Sequence, residues 1–333
     1  MDKLHPNRRQ WMATAAAAAG ISLVGLPAWA KSAYPNKPIR FIVPFNPGGA
    51  TDIVARVLAE AMSKRMGQPI VVENKAGAAG MLGTDQVAKS APDGYNVLLS
   101  LSTSMLINQY LYTKMAYNPQ KDLLLLSELA SAPVTLVVHP SVPANTMPEL
   151  LAWVKANKGK VSYGSWGVGS YAHLGGAYMS KTMNADMSHV AYRGEAPMIQ
   201  ELIGGQLQLC FSSAQNTKPF IDNGRLKAIG VTGKARMSVL PNVPTIYEQG
   251  VTDDAYAIAG FVGMALPAGT PQAVVDALSA AIQHAAQDPK VKERIDGAGF
   301  LPVFSSPDAF SKTYAQAAPV WKALVELAEA KVD

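Results

Sequence analysis

Two glycine-rich segments carry the residue types most suited to holding a small anion. The first is Pro44-Phe45-Asn46-Pro47-Gly48-Gly49-Ala50-Thr51-Asp52, and the second is Tyr163-Gly164-Ser165-Trp166-Gly167-Val168-Gly169-Ser170. Each follows an apolar, strand-like run and precedes a helix-like one. Glycine lets the backbone approach a ligand closely, and a helix start offers unpaired N–H groups with positive dipole potential. Either turn could simply join a strand to a helix. Two of the same construction, both with Ser or Thr, favour an anion site, most simply for a carboxylate. If the two segments face each other, they would grip opposite ends of one small molecule.

Enzymatic readings fit less well. No Gly-Lys-Ser/Thr follows either turn, so neither is a phosphate loop of the nucleotide-hydrolase type. Tyr163 occupies the first glycine position of a hydrolase nucleophile elbow, and Gly167-Val168-Gly169 lacks the third glycine of a dinucleotide fingerprint. No nucleophile–base pair is visible in the spacing. The five histidines are scattered without a metal-binding spacing, and the single cysteine, Cys210, excludes an intrachain disulfide. No metal or cofactor is expected. His173, on the helix after the second turn, reads more readily as a packing or hydrogen-bonding histidine than as a general base.

The elements that must position these turns alternate between strand and helix. Strands are predicted at 39–43, 69–72, 97–99, 134–138, 161–163, 189–192, 207–211 and 226–231. Helices are predicted at 53–66, 104–112, 147–157, 170–182, 196–203, 271–286 and from 307 toward 331. Gly67 sits where a C-terminal glycine cap belongs, and Thr146-Met147-Pro148-Glu149 has the form of a capping box. Alternating βα units imply mostly parallel sheets with helices on both faces, here in two α/β lobes.

The chain has 333 residues, 49% hydrophobic and 16% charged, which excludes disorder. Its net charge of +5 is too small for a nucleic-acid groove. Asn7-Arg8-Arg9, an alanine-rich apolar stretch and Ala28-Trp29-Ala30 have the order of a secretory signal peptide over residues 1–30. Gly20, Gly25 and Pro27 interrupt that stretch, which argues against a permanent membrane span. Arg8-Arg9 fits twin-arginine export as well as the ordinary route. A soluble periplasmic protein is expected.

Several strings carry a family resemblance. Tyr34-Pro35-x-Lys37-Pro38-Ile39-Arg40-x-Ile42-Val43-Pro44-Phe45-x-x-Gly48-Gly49-x-x-Asp52 resembles the start of the Bug family, the substrate-binding proteins of tripartite tricarboxylate transporters. So do Gly67-Gln68-Pro69-Ile70-Val71-Val72-Glu73-Asn74, Ala91-Pro92-Asp93-Gly94-Tyr95, the second glycine-rich turn, Leu240-Pro241-x-Val243-Pro244-Thr245 and Pro267-Ala268-Gly269-Thr270-Pro271. The resemblance implies a type II periplasmic binding protein: two Rossmann-like α/β lobes joined by a hinge, with a ligand cleft between them. The expected division is 31–131 plus 256–333 for one lobe and 132–255 for the other.

The family pattern places a ligand against Phe45, Asn46, Gly48, Gly49, Ala50, Thr51 and Asp52 of the first turn and against Ser102, Thr103 and Ser104. It also involves Ser165, Trp166, Gly167, Val168, Gly169 and Ser170 of the second turn and Arg193 and Gly194, and His173 and Ser213 are further ligand-binding candidates. The implied partners are a small organic acid and the integral-membrane permease subunits of the transporter, with the binding protein itself a monomer. Many relatives carry Asp-Asn where this chain has Ser212-Ser213, so a ligand ammonium is disfavoured. Trp166 and Tyr171 offer flat aromatic surfaces and Arg193 a planar fork for a carboxylate, which together point to an aromatic dicarboxylate of the terephthalate type. Aliphatic di- and tricarboxylates, or a role as a ligand sensor for a membrane signalling protein, remain the alternatives. Trp166 and Tyr171 could instead pack the cleft rim, and Arg193 could pair with Glu195 or Glu201.

Overall fold

Ile39–Val43 forms β1, a strand whose residues other than Arg40 are apolar and buried and which Pro44 ends, having no N–H to extend the ladder. The computed structural model describes residues 34–332, so the expected signal peptide, 1–30, lies outside the described residues. β1 runs parallel to β2 (Ile70–Asn74) on one side and β3 (Asn96–Leu101) on the other. Between β1 and β2 the chain forms α1 (Ala50–Met66), closed by Gly67 at φ 65°, whose N–H returns to the Ser63 carbonyl. α2 (Met81–Ala88) precedes β3. A π-helical turn, Thr103–Ile107, then leads into α3 (Asn108–Leu111) and, further on, α4 (Pro119–Asp122). β4 (Leu123–Ala132) and β10 (Gly260–Pro267) complete this sheet with the short β11 (Leu301–Pro302), in the order β11-β4-β10-β3-β1-β2.

The second sheet has the order β7-β6-β8-β5-β9. Its strands are β5 (Thr135–Val138), β6 (Ser162–Ser165), β7 (Ser188–Ala191), β8 (Leu209–Ser212) and β9 (Lys227–Val231). The intervening helices are α5 (Met147–Ala156), α6 (Tyr171–Thr182), α7 (Glu195–Ile203) and α8 (Ala214–Asp222). α5 starts at the expected cap: the Thr146 side chain accepts from the Glu149 N–H. The Glu149 carboxylate accepts from Asn145 N–H, one residue before the box partner expected of it.

Both sheets are mixed, which corrects the mostly parallel expectation. β10 is antiparallel to β3 and β4, and β5 is antiparallel to β8 and β9. The parallel strands form one half of each sheet. The periodicity gave no sign of β4 or β10, because β4 is buried without a break from Leu126 to Ala130 and β10 from Phe261 to Pro267, so neither shows the alternation of a half-exposed strand.

Both sheets belong to one compact unit, Lys37–Asp333. The chain passes between them twice, from β4 to β5 and from β9 to β10. The two crossings are tied together: Thr232 N–H donates to the Val134 carbonyl at 2.9 Å, and Val134 N–H donates to Thr232 Oγ1 at 2.9 Å. After β9 come α9 (Asp254–Ala257), α10 (Gln272–Ala285), α11 (Pro289–Gly297) and the 21-residue α12 (Pro307–Leu327). α12 bridges the halves. Its Trp321 packs edge-on against Tyr171 of α6, and Tyr171 packs edge-on against Phe211 of β8. The aromatic contacts add about 0.5–1.5 kcal/mol each beyond burial.

Candidate functional site

β1 and β3 run parallel, so the first turn and Ser102 leave the first sheet at one edge. β6, β7 and β8 also run parallel, so the second turn, Arg193-Gly194 and Ser212-Ser213 leave the second sheet at one edge. A crevice at the C-terminal ends of parallel strands is where open α/β sheets bind ligands. Gly169 of the second turn, at φ 78°, packs so closely on Leu111 of α3 that a side chain there would overlap it. Glycine is required at that point on both counts.

The first turn is held from behind. Gly48, at φ 82°, donates its N–H to Asp52 Oδ2 at 2.9 Å. Arg56 Nε donates to the same oxygen at 2.8 Å, and Asn74 Nδ2 donates to Asp52 Oδ1 at 2.9 Å and to the Phe45 carbonyl at 3.1 Å. Burial raises the carboxyl pKa of Asp52, but the hydrogen bonds from Arg56, Gly48 and Asn74 outweigh it and hold the pKa below the ordinary value. Asp52 is therefore occupied in shaping the turn. Asn46, Gly48 and Gly49 are exposed and Phe45 and Ala50 are half-buried, while Thr51 is buried. The N–H groups of Ala50, Thr51 and Asp52, in the first turn of α1, have no helical partner.

Ser102, Thr103 and Ser104 divide. Thr103 is half-buried and Ser102 is 5% exposed. Ser104 is fully buried: its hydroxyl lies 2.6 Å from Ser100 Oγ and accepts from Thr84 Oγ1 at 2.9 Å. This places Ser104 behind the surface it was expected to line.

The second turn is organised by histidines. Ser165 is fully buried, with its Oγ 2.7 Å from His189 Nε2. His189 stacks between Tyr163, at 5.0 Å, and His173, at 4.0 Å. His173 Nδ1 accepts the Gly169 N–H at 3.1 Å, and Ser170 Oγ caps α6 by accepting the His173 N–H while donating to the Gly167 carbonyl. Desolvation lowers the pKa of both imidazoles, and for His189, with His173 beside it, to about 4. Ser165 and His189 form the nucleophile–base spacing that the sequence did not reveal. The serine is sealed from solvent, and no carboxylate among the described residues orients the histidine. Trp166, Gly167 and Ser170 are half-buried and Val168 is exposed, leaving this rim open.

Tyr171 corrects an expectation. It is buried in the aromatic cluster with Phe211 and Trp321, and its hydroxyl donates to the Ala255 carbonyl at 2.7 Å. It offers no face to a ligand. Trp166 packs partly on the apolar core and keeps part of its surface free.

Arg193 is exposed and makes no ion pair or hydrogen bond with any described residue, so it pairs with neither Glu195 nor Glu201. Glu195 instead reaches the serine pair. Its Oε2 accepts from Ser212 Oγ at 2.6 Å, Ser213 N at 3.1 Å, Ser213 Oγ at 2.7 Å and Asn216 Nδ2 at 2.8 Å. The serine pair thus has a carboxylate against it after all, supplied from α7. The expected loss of negative charge there is corrected. Spacing could not show this, because Glu195 and Ser212 are 17 residues apart and meet only through strand order. A cavity of about 780 Å3 lies elsewhere, between β4, α10 and α12, and contains none of the turn residues.

Residues 54–329 match the model of the tripartite tricarboxylate transporter family receptor. The chain belongs to this family. It is 33% identical to the protein BugT of Bordetella pertussis over 90% of this chain and 91% of that one. The structure of the periplasmic binding protein BugD superposes with a TM-score of 0.73 at 35% identity, covering 90% of this chain and 99% of that one. MatC of Rhodopseudomonas palustris, with bound malate, superposes with a TM-score of 0.72 at 29% identity, over 88% and 100% of the two chains. This receptor-family chain therefore has the two-lobed α/β periplasmic binding protein fold, and its relatives are solute-binding proteins.

Proposed function

We propose that this receptor captures a small organic carboxylate between the C-terminal edges of its two sheets and delivers it to the permease subunits of a tripartite tricarboxylate transporter. The observation that carries this is the Arg193 guanidinium, exposed and without a partner among the described residues, on the edge that also bears the second turn. A guanidinium with no described partner suits one carboxylate, and the first N–H groups of α1, which have no helical partner, suit another. Malate in the MatC relative is of the same chemical class. The lobes, 31–131 with 256–333 and 132–255, close on the ligand about the tied crossings at Val134 and Thr232. The protein works as a monomer in the periplasm after removal of residues 1–30 and performs no catalysis. Phe45, Gly48, Gly49, Ala50, Thr103, Trp166, Gly167, Ser170, Arg193 and Gly194 make the contacts, and Asp52, Ser165 and His173 support them from behind.

A thermal-shift screen across organic acids tests this. A true ligand at a hundredfold excess over its Kd adds about 2.7 kcal/mol of stability. Stabilisation by no carboxylate would overturn the reading. An aromatic ring against Trp166 is the second reading; it rests on the free part of that side chain and no longer on Tyr171.

A further inference from the structure

We infer that Glu195 selects, among organic acids, those that carry a hydrogen-bond donor such as a hydroxyl or ammonium group; this rests on the carboxylate-binding reading above. Glu195 is the first residue of α7, directly after Gly194, which takes φ 110°. Its Oε2 receives the four donors from Ser212, Ser213 and Asn216, which exhausts the lone pairs of one oxygen. Its Oε1 accepts nothing from any described residue, and the side chain is only half-buried. Pinning Oε2 from three residues also fixes the direction of Oε1. The result is a rigid, pre-oriented acceptor on the edge that carries Arg193 and the second turn.

Arg193 presents only donors and Glu195, two residues on, presents a free acceptor. Their complement is a carboxylate next to a group that can donate. A plain dicarboxylate would set an oxygen against Oε1, with like charges in contact. Such a site rejects an analogue that lacks the donor, because its own acceptor is then desolvated and unpaired.

The amide variant gives a sharp test. In Glu195→Gln the same four donors require an oxygen where Oε2 stood, so the NH2 group must take the place of Oε1. An acceptor becomes a donor with little change of shape. Calorimetry would compare two matched pairs, glutarate with 2-hydroxyglutarate and terephthalate with 2-hydroxyterephthalate. In the native protein the hydroxylated member of the bound pair should be favoured about tenfold or more. In Glu195→Gln that preference should disappear, with the plain acid gaining. Arg193→Ala should weaken both members alike and keep the preference. Equal binding of both members by the native protein, or an unchanged preference in Glu195→Gln, overturns the role of Glu195 alone. Binding of neither pair overturns the carboxylate reading itself.

Discussion

The imidazoles of His173 and His189 stack 4.0 Å apart with their planes 16° from parallel, behind the second glycine-rich turn. The contact suits two neutral rings, and His173 Nδ1 must be unprotonated to accept the Gly169 N–H. Because burial lowers both pKa values, the unfolded chain binds protons more readily than the folded one in this range. The stabilisation is thus complete above the ordinary histidine value of 6.5 and is lost as pH falls toward about 4. The stability advantage of the native protein over His189→Gln should be largest at neutral pH and shrink on acidification. Thermal unfolding across that range checks it; an advantage independent of pH would contradict the neutral stack.

Asp52→Ala should cost about 1–3 kcal/mol, because Gly48 N–H, Arg56 and Asn74 all lose their acceptor. Carboxylate affinity should fall with it, since the turn is no longer held open. Denaturant titration and calorimetry on the same variant measure both effects, and an unaltered affinity would separate the turn from the ligand.

Arg193→Ala should behave differently. The side chain is exposed and has no described partner, so the unfolding midpoint should barely move. Removing a charged hydrogen-bond donor from a closed cleft costs on the order of 2–4 kcal/mol, or roughly 30- to 1,000-fold in affinity. Unchanged affinity would make Arg193 an ordinary surface cation.

Trp166 and Tyr171 should part company in mutagenesis. Tyr171→Phe leaves the Ala255 carbonyl without its donor and should reduce stability by about 0.5–1.5 kcal/mol, with ligand affinity intact. Trp166→Ala should weaken aromatic acids about 1 kcal/mol more than aliphatic ones if a ring rests on it. Equal losses for terephthalate and glutarate would remove the aromatic reading.

Closure should be modest in amplitude. Trp321 of α12 and Tyr171 of α6 form a shared aromatic contact, and Lys181 and Glu329 lie 3.4 Å apart nearby. Motion that kept this contact would be a rotation about it. Scattering with and without saturating ligand should show a small decrease in the radius of gyration; no decrease would argue for a rigid pocket.

Local features were legible in the residues themselves. The β1 run and its stop at Pro44, the Gly67 cap, the Thr146 and Ser306 helix starts and both glycine-rich turns follow from rules that act over a few residues. What the turns present was decided only by the tertiary structure. Asn74 reaches Asp52 and Phe45 because β2 lies beside β1, Ser165 meets His189 because β7 lies beside β6, and Glu195 meets Ser212 because α7 leads into β8 next to β6. Strand order sets these meetings, and a period-two pattern is the same whichever strand lies alongside. The same order turned Ser104, Ser165 and Tyr171 inward and left Arg193 without a partner among the described residues, so residues expected on one surface were divided between the interior and the rim.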